Sequence, residues 1–430
     1  MVFGILVWSL WSFATTSSPL AALIQPASLK PAWTEAANLG AFRLEKLKIL
    51  RGDLWRSLKD IRLPRPTSFT TFGEEYTLPY SVKETSVVAP SDEVLGYLAG
   101  FFAGDGCVLS DLSGLRVGQS VQGVEVLLLF ARSFGGSIGL HSAGSGTSFS
   151  SLRWHVGGHP AHIAAEMLGE AVLEKRAQLL QLAHDIADLN EFLAVRDMMR
   201  HWKQTPSGVE FRSWQEVAGF VDAEGCFGAK LGSIISINLS FNQKHRTALE
   251  ALQRFFLAEL GIQVGVFRCA NGGYHRLAAC HTSTAKICHK LLEAGLLQKK
   301  LQAELVLSCT TENGSEVRAK LQELKGNQGR FLCQDSEGIT RALQIKGLQR
   351  RRSYLRRSPR IRLPEVANEV HELTVKIDEL KKEHQQKELE REICAMQSHL
   401  EEVRRGGMLA GAASKVEPAA GPTATLGTSL

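Results

Sequence analysis

The sequence predicts an α+β fold in which one unit, helix–strand–strand–helix–strand–strand–helix, occurs twice. Three features carry that prediction. Residues 94–108 (VLGYLAGFFAGDGCV) form an apolar helical run ending in a carboxylate and a glycine, and 214–227 (WQEVAGFVDAEGCF) repeats it. Each run is followed by the same alternation of period-2 and helical segments. Polar residues recur at nearly constant offset, Asp105 with Glu224, Gln122 with Gln243 and Lys175 with Lys299, and Leu173-Glu-Lys-Arg-Ala-Gln178 aligns with Leu297-Gln-Lys-Lys-Leu-Gln302.

In the first run Gly96, Gly100 and Gly104 recur every fourth place, which puts them on one helix face and lets another backbone approach closely. Gly219 and Ala223 keep part of that face in the second run, while Phe220 and Val221 match Phe101 and Phe102 as core-directed residues. Asp105 and Glu224 fall at the helix C-terminal ends, where the dipole disfavours a carboxylate unless a cation sits opposite. Gly106 and Gly225 follow, and suit a left-handed turn.

After the first run, 107–112 and 115–121 read as a hairpin, 125–134 as a helix, 137–141 and 152–156 as strands, and 159–188 as one or two helices. The second copy gives strands 227–231 and 234–242, helix 245–260, strands 263–270 and 275–281, and helix 284–308. The resulting organisation is a first repeat over 92–188, a linker over 189–213 and a second repeat over 214–310.

The flanks differ in character. Residues 1–34 read as a targeting segment or a poorly ordered N-terminus; the apolar run at 1–14 is too short for a membrane span, so no membrane association is expected. As a targeting segment it points to an organelle, mitochondrion or plastid, with the nucleus as the alternative. An N-terminal extension and linker covers 35–91, with a basic amphipathic helix over 44–61 and a Pro/Thr/Ser-rich extended stretch over 64–91. A basic linker spans 311–365. Within it Arg350, Arg351, Arg352, Arg356, Arg357, Arg360 and Arg362 surround Tyr354, a phosphate-binding or nuclear-localisation patch or else a solvated basic loop. Over 366–405 apolar residues keep alternating spacings of four and three, a coiled-coil seam whose phase breaks between Leu380 and Leu389. One long helix self-associating through 366–403, two short segments, and a self-folded hairpin all fit. The small-residue tail 406–430 reads as disordered.

Composition narrows the function. A net charge of +6 permits nucleic-acid binding without requiring it, and eight cysteines without a CxxC pair or regular spacing argue against a zinc ribbon and a secreted disulfide framework. Cys280-His281 and Cys288-His289 read as ordinary core and surface residues rather than metal ligands.

Leu98-Ala-Gly-Phe-Phe-Ala-Gly-Asp-Gly106 and Val217-Ala-Gly-Phe-Val-Asp-Ala-Glu-Gly225 resemble the two signature motifs of the LAGLIDADG homing endonucleases in their single-chain, double-motif form. The resemblance covers 92–310, about half of the chain. It implies two pseudo-symmetric αββαββα units whose motif helices pack together and whose sheets form a saddle over double-stranded DNA. It further implies that Asp105 and Glu224 hold magnesium, with manganese as an alternative, that Gln122 and Gln243 order the attacking water, and that Lys175 and Lys299 stabilise charge on the phosphate. Side chains alternating towards DNA would then be Arg116, Gln119, Arg153 and His155 in the first copy, and Lys230, Asn238, Asn242, Arg268 and Arg276 in the second. Ala103 departs from the pattern, standing where the second copy has Asp222. The expected activity is site-specific hydrolysis of both strands of a long duplex site. The runner-up is a non-cleaving nucleic-acid binder such as a transcription regulator, an organelle RNA-processing factor or an intron maturase, the last with intron RNA as partner.

Overall fold

The computed structural model describes residues 30–83, 87–171, 173–184, 189–204, 208–230, 236–269, 273–325, 331 and 335–405. The targeting segment expected at 1–34 lies outside the described residues up to 29, and so does the tail 406–430. The chain divides into two compact units, 1–46 and 47–430. What is described of the first is the opening part of helix α1 (Lys30–Asp60).

The second unit carries two larger antiparallel sheets whose repeat strands have the same order, and a separate two-stranded sheet. In the first repeat, α2 (Asp92–Asp105) leads into β4 (Gly106–Val108), β5 (Gly114–Ser120), α3 (Glu125–Phe134), β6 (Gly136–Ser142), β7 (Ser151–Gly157), α4 (His159–Gly169) and α5 (Arg176–Ala183). In the second, α7 (Trp214–Glu224) leads into β8 (Cys226–Lys230), β9 (Ser236–Gln243), α8 (Thr247–Leu260), β10 (Gly265–Arg268), β11 (His275–Cys280), α9 (Thr282–Glu293) and α10 (Lys300–Leu307). The sheets run β6-β7-β5-β4 and β10-β11-β9-β8. Each helix α2 and α7 starts on a serine, Ser91 or Ser213, whose hydroxyl accepts an N–H of the first turn. Helix α8 stops at Gly261 in the left-handed conformation.

The core lies on the helix side of both sheets. Phe101, Phe102, Phe130 and Trp154 fill it in the first repeat, with Phe130 stacked on Trp154 at 4.8 Å. Phe220, Phe227, Phe241 and Phe256 fill it in the second, so the residues paired by the repeat, Phe101 with Phe220 and Phe102 with Val221, are all fully buried.

Several expectations are corrected. The extended stretch at 64–91 contains β1 (Ser68–Thr71), β2 (Glu74–Thr77) and β3 (Tyr80–Val82), and β3 pairs with β6 as a fifth strand of the first sheet. Packing of Phe69, Tyr76 and Tyr80 outweighs the local Pro/Thr/Ser composition. The bridge between repeats holds helix α6 (Leu189–Gln204), and the helix expected over 284–308 is broken at Gly295, where φ is +82°.

The basic linker folds as α11 (Gly314–Glu323) and α12 (Ser336–Arg357), followed by one continuous helix α13 (Pro364–Arg404). The seam of α13 is covered by its own chain. Leu373, Ile377, Ile393, Met396, Leu400 and Val403 are buried, α12 packs along α13, and Met396 and Leu400 join Leu58 and Phe331 in a second small core. Arg51 pairs with Glu392 at 2.9 Å, and His399 is hydrogen-bonded to the Gly146 carbonyl at 2.7 Å. The seam, for which self-association is one of three readings of the sequence, is therefore packed within the chain, because apolar spacing alone does not say which surface covers it.

Candidate active site

Helices α2 and α7 meet on the predicted small face. A Cβ on Gly100 would collide with the Glu216 carbonyl, one on Gly219 with the Tyr97 carbonyl, and one on Gly104 with the Ala223 side chain. Gly96 sits at the edge of the contact, where an added Cβ would be 3.3 Å from Gln215 Cβ and Ser213 Oγ. Such close packing brings the two acids together at the helix C-termini, and an added Cβ on Gly104 would also lie 3.0 Å from Glu224 Cγ.

Gly106 and Gly225 serve a different purpose from the one expected. Their φ angles are −72° and −71°, open to any residue, so no left-handed turn is made. Glycine is required for room: a Cβ on Gly106 would collide with the Phe102 ring, and one on Gly225 would come within 2.7 Å of the Val221 carbonyl.

The cations that offset the dipole are the two lysines. Lys175 Nζ donates to the carbonyls of Phe102, Ala103 and Gly104 at 2.9, 2.8 and 2.7 Å, closing the last turn of α2. Lys299 Nζ donates to the Val221 carbonyl at 2.8 Å at the end of α7. Burial pulls both ammoniums below their ordinary range, and the attraction of Asp105, Glu224 and a further acid each opposes it.

Asp105 is exposed to solvent, yet protein packed around it desolvates its carboxylate. Desolvation, then the neighbouring charge of Glu224, push its carboxyl up to about 6, against the pull of Lys175, Lys299 and a hydrogen bond from Gln119. Gln119 Nε2 donates to Asp105 at 2.6 Å.

Strand register corrects the glutamine assignment. Cys107 pairs with Arg116 and Cys226 with Ser240, so three residues further along Gln119 corresponds to Gln243. Gln122 instead lies in the 3-10 turn Val121–Gly123 after β5. Gln119 was expected among the DNA-reading residues, but it shares the helix-side face of β5 with buried Leu115 and Val117. A length difference in the loops shifted the sequence alignment by three residues. Neither this pairing nor the lysine–carbonyl contacts had a signal in the sequence beyond residue type.

Asp222 is a residue whose function the sequence left open. It accepts hydrogen bonds from the Tyr97 hydroxyl at 2.7 Å and from the backbone N–H groups of Leu297, Gln298 and Lys299 at 2.8, 3.0 and 2.8 Å. It thus ties α2 to the turn preceding α10. Two residues beside the lysines also link the repeats: Gln298 donates to the Gly123 carbonyl at 2.8 Å, and Glu174 accepts from the Thr247 hydroxyl at 3.4 Å.

On the outer face of the first sheet Arg116 pairs with His155 across the strands, and Arg153 contacts the His141 ring at 3.0 Å. Desolvation and the surrounding arginines hold both histidines below their ordinary range, and burial and Arg116 lower Arg153 too. Asp111 opposes this at His155. Crowded cations on a half-exposed surface favour an anionic ligand.

The second sheet is different. Asn238 and Ser240 face outward from β9 yet are buried, because α11 and α12 lie over them. Asn242 remains exposed and pairs with Arg276, whose Nε is buried without a hydrogen-bond partner among the described residues. Arg268 is turned away. It pairs with His275 on the helix-side face, while Phe267, 64% exposed, takes the outer position beside Arg276. A one-residue error in strand phase accounts for this. Lys230 closes β8 opposite Ser236.

Two antiparallel sheets, joined by glycine-packed helices that end in paired acids, make the class this chain resembles the LAGLIDADG homing endonucleases. No family model matches the chain, and no curated protein matches it. Among solved structures it is similar to the LAGLIDADG meganuclease I-AabMI bound to uncleaved DNA, at 16% identity and a TM-score of 0.41 over 54% of this chain and 97% of that one. It is also similar to the homing endonuclease I-LtrWI bound to target DNA (12%, TM-score 0.38, 54% and 97%) and to I-GzeII in complex with its DNA target (13%, TM-score 0.38, 53% and 97%). No helix among the described residues is long and apolar enough to cross a membrane.

Proposed function

We propose that the chain is a site-specific, metal-dependent DNA endonuclease that hydrolyses a phosphodiester in each strand of a long duplex site. The observation that carries this reading is the adjacency of Asp105 and Glu224 at the closed end of the α2–α7 pair, with Lys175 and Lys299 beside them. Both ammoniums donate to helix carbonyls rather than to the acids, so they offset the charge of Asp105 only through space, and desolvation and then Glu224 still push its carboxyl upward. Two hard carboxylates in that state fit a magnesium or manganese ion. Among the described residues no cluster of three metal-ligating side chains occurs, so further ligands would come from water and the DNA phosphate.

Asp105 and Glu224 would hold the ion, which when bound supplies an activated water and charge screening at the phosphate. Gln119 fixes one Asp105 oxygen and leaves the other free for this task. Gln243 has the corresponding strand position in the second repeat. Lys175 and Lys299 contribute positive potential where the phosphate would gain charge. The cationic outer face of the first sheet supports duplex binding through phosphate and base-edge contacts.

A second reading has its own support. The cover over Asn238 and Ser240 narrows the surface open to a duplex, which favours a non-cleaving nucleic-acid binder, with structured intron RNA as the alternative partner. Binding of a randomised duplex library in magnesium, followed by sequencing of cut ends, separates the two. Cutting at an enriched long site supports the endonuclease. Specific binding with no cut in magnesium or manganese supports the second reading.

A further inference from the structure

The basic segments after the second repeat are unused by the paired-acid site, and they lie where half of a DNA-reading surface was expected. A groove of about 440 Å³ runs between β8–β9 and α11–α12. Its cations are Arg276, Arg318, Lys325 and Lys346, and among the described residues no acidic one lines it. Arg276 brings to it a buried Nε without a hydrogen-bond partner among the described residues.

Lys346 also belongs to a second groove, of about 660 Å³, that continues along α12 past Arg350, Tyr354 and Arg357. These residues repeat at three to four positions and so share one helix face. Tyr354 is 75% exposed, and among the described residues Lys346, Arg350 and Arg357 have no acidic partner within ion-pair distance. An exposed aromatic ring inside an uncompensated cationic stripe complements a ligand that is both anionic and flat.

We infer that this continuous path, from Arg276 through Lys346 to Arg357, binds an unpaired nucleic-acid strand. Phosphates complement the cations, and a splayed base stacks on Tyr354. A duplex hides its base faces in its own stack and has none to offer Tyr354. The inference shares with the proposed function only the binding of nucleic acid, and it does not depend on cleavage.

The test uses the full chain and a fluorescent, unstructured single-stranded oligonucleotide, with a duplex of equal length and poly-glutamate as competitors. Expected results are as follows: Arg350→Ala with Arg357→Ala lowers the salt-dependence slope by about 1.4, the loss of two phosphate contacts to a single strand. Tyr354→Ala weakens binding about tenfold, while Tyr354→Phe keeps it, because only the ring is needed. The oligonucleotide slows alkylation of Cys226, which lines the inner groove, and leaves the rate at exposed Cys394 unchanged.

Asp105→Asn leaves all of these readings unchanged, so failure of the nuclease reading and failure of the strand path are distinguishable. Equal affinity for the duplex, equal competition by poly-glutamate, or an unprotected Cys226 each overturns the inference. So does binding that survives the α12 variants but is lost in Arg116→Ala with Arg153→Ala, which would put the strand on the first sheet.

Discussion

The Tyr97 hydroxyl donates to Asp222 at 2.7 Å, across the contact between the two motif helices. The same carboxylate collects three successive backbone N–H groups ahead of α10, so one side chain of α7 positions both α2 and the turn that presents Lys299. Burial drives its carboxyl upward, and the hydrogen bonds from Tyr97, Leu297 and Lys299, together with the Lys299 charge, oppose this. Asp222→Ala leaves those donors without their acceptor and is expected to cost about 3 kcal/mol or more, whereas Tyr97→Phe costs about 1 kcal/mol. Urea unfolding measures both.

The helix contact tolerates almost nothing at its centre. Gly100→Ala drives a methyl into the Glu216 carbonyl and should separate α2 from α7, with a loss of about 3 kcal/mol or more. Gly96→Ala meets side-chain atoms at 3.3 Å and gains helix propensity, so its stability should remain within about 1 kcal/mol of the parent. Thermal unfolding of the two variants side by side is the check.

Much of this was readable from the sequence. The fourfold spacing of glycines specified the docking face, and paired aromatic residues specified the core. Other parts were not readable for physical reasons. Gln119 and Gln122 are both polar residues near one strand end, and only backbone register distinguishes them. Arg268 and Phe267 exchange faces with a single step of strand phase. The burial of Asn238 depends on α11 and α12, which lie far along the sequence, and strand alternation carries no trace of that cover. Likewise the seam of α13 was legible, but not its partner.

The lysines should differ. Lys175 closes three carbonyls and Lys299 one, so Lys175→Met is expected to cost about 2–4 kcal/mol and Lys299→Met about 1–2 kcal/mol. Equal losses in chemical denaturation would show that the number of carbonyls each ammonium holds does not set its contribution.

Asp105 gives a pH signature. Its folded carboxyl titrates at about 6, above the ordinary value of 3.8. The folded chain therefore binds this proton more tightly than the unfolded chain, and stability falls as pH rises from about 4 to about 6. Asp105→Asn should stabilise the fold above pH 6, by no more than about 1 kcal/mol because the residue is exposed, seen as a higher melting temperature, and have no effect below about pH 4. Metal-dependent activity has the opposite sign and should decline below pH 6, as the carboxylate is protonated.

Because α13 covers its own seam against α12 and Leu58, removing 366–430 should leave the oligomeric state unchanged in light scattering. Ile377→Asp places a charge at a fully buried position and should release the arm, with loss of helical signal but no change in oligomeric state. A halved mass on truncation would instead assign the seam to a dimer.

The most direct measurement is cleavage of a randomised duplex library by the purified full chain in magnesium, alongside Asp105→Asn and Glu224→Gln. The paired-acid site predicts double-strand cuts at one enriched long sequence, and loss of those cuts in both variants with binding retained. Specific binding without cleavage in magnesium or manganese, or cuts that persist undiminished in both variants, would contradict it.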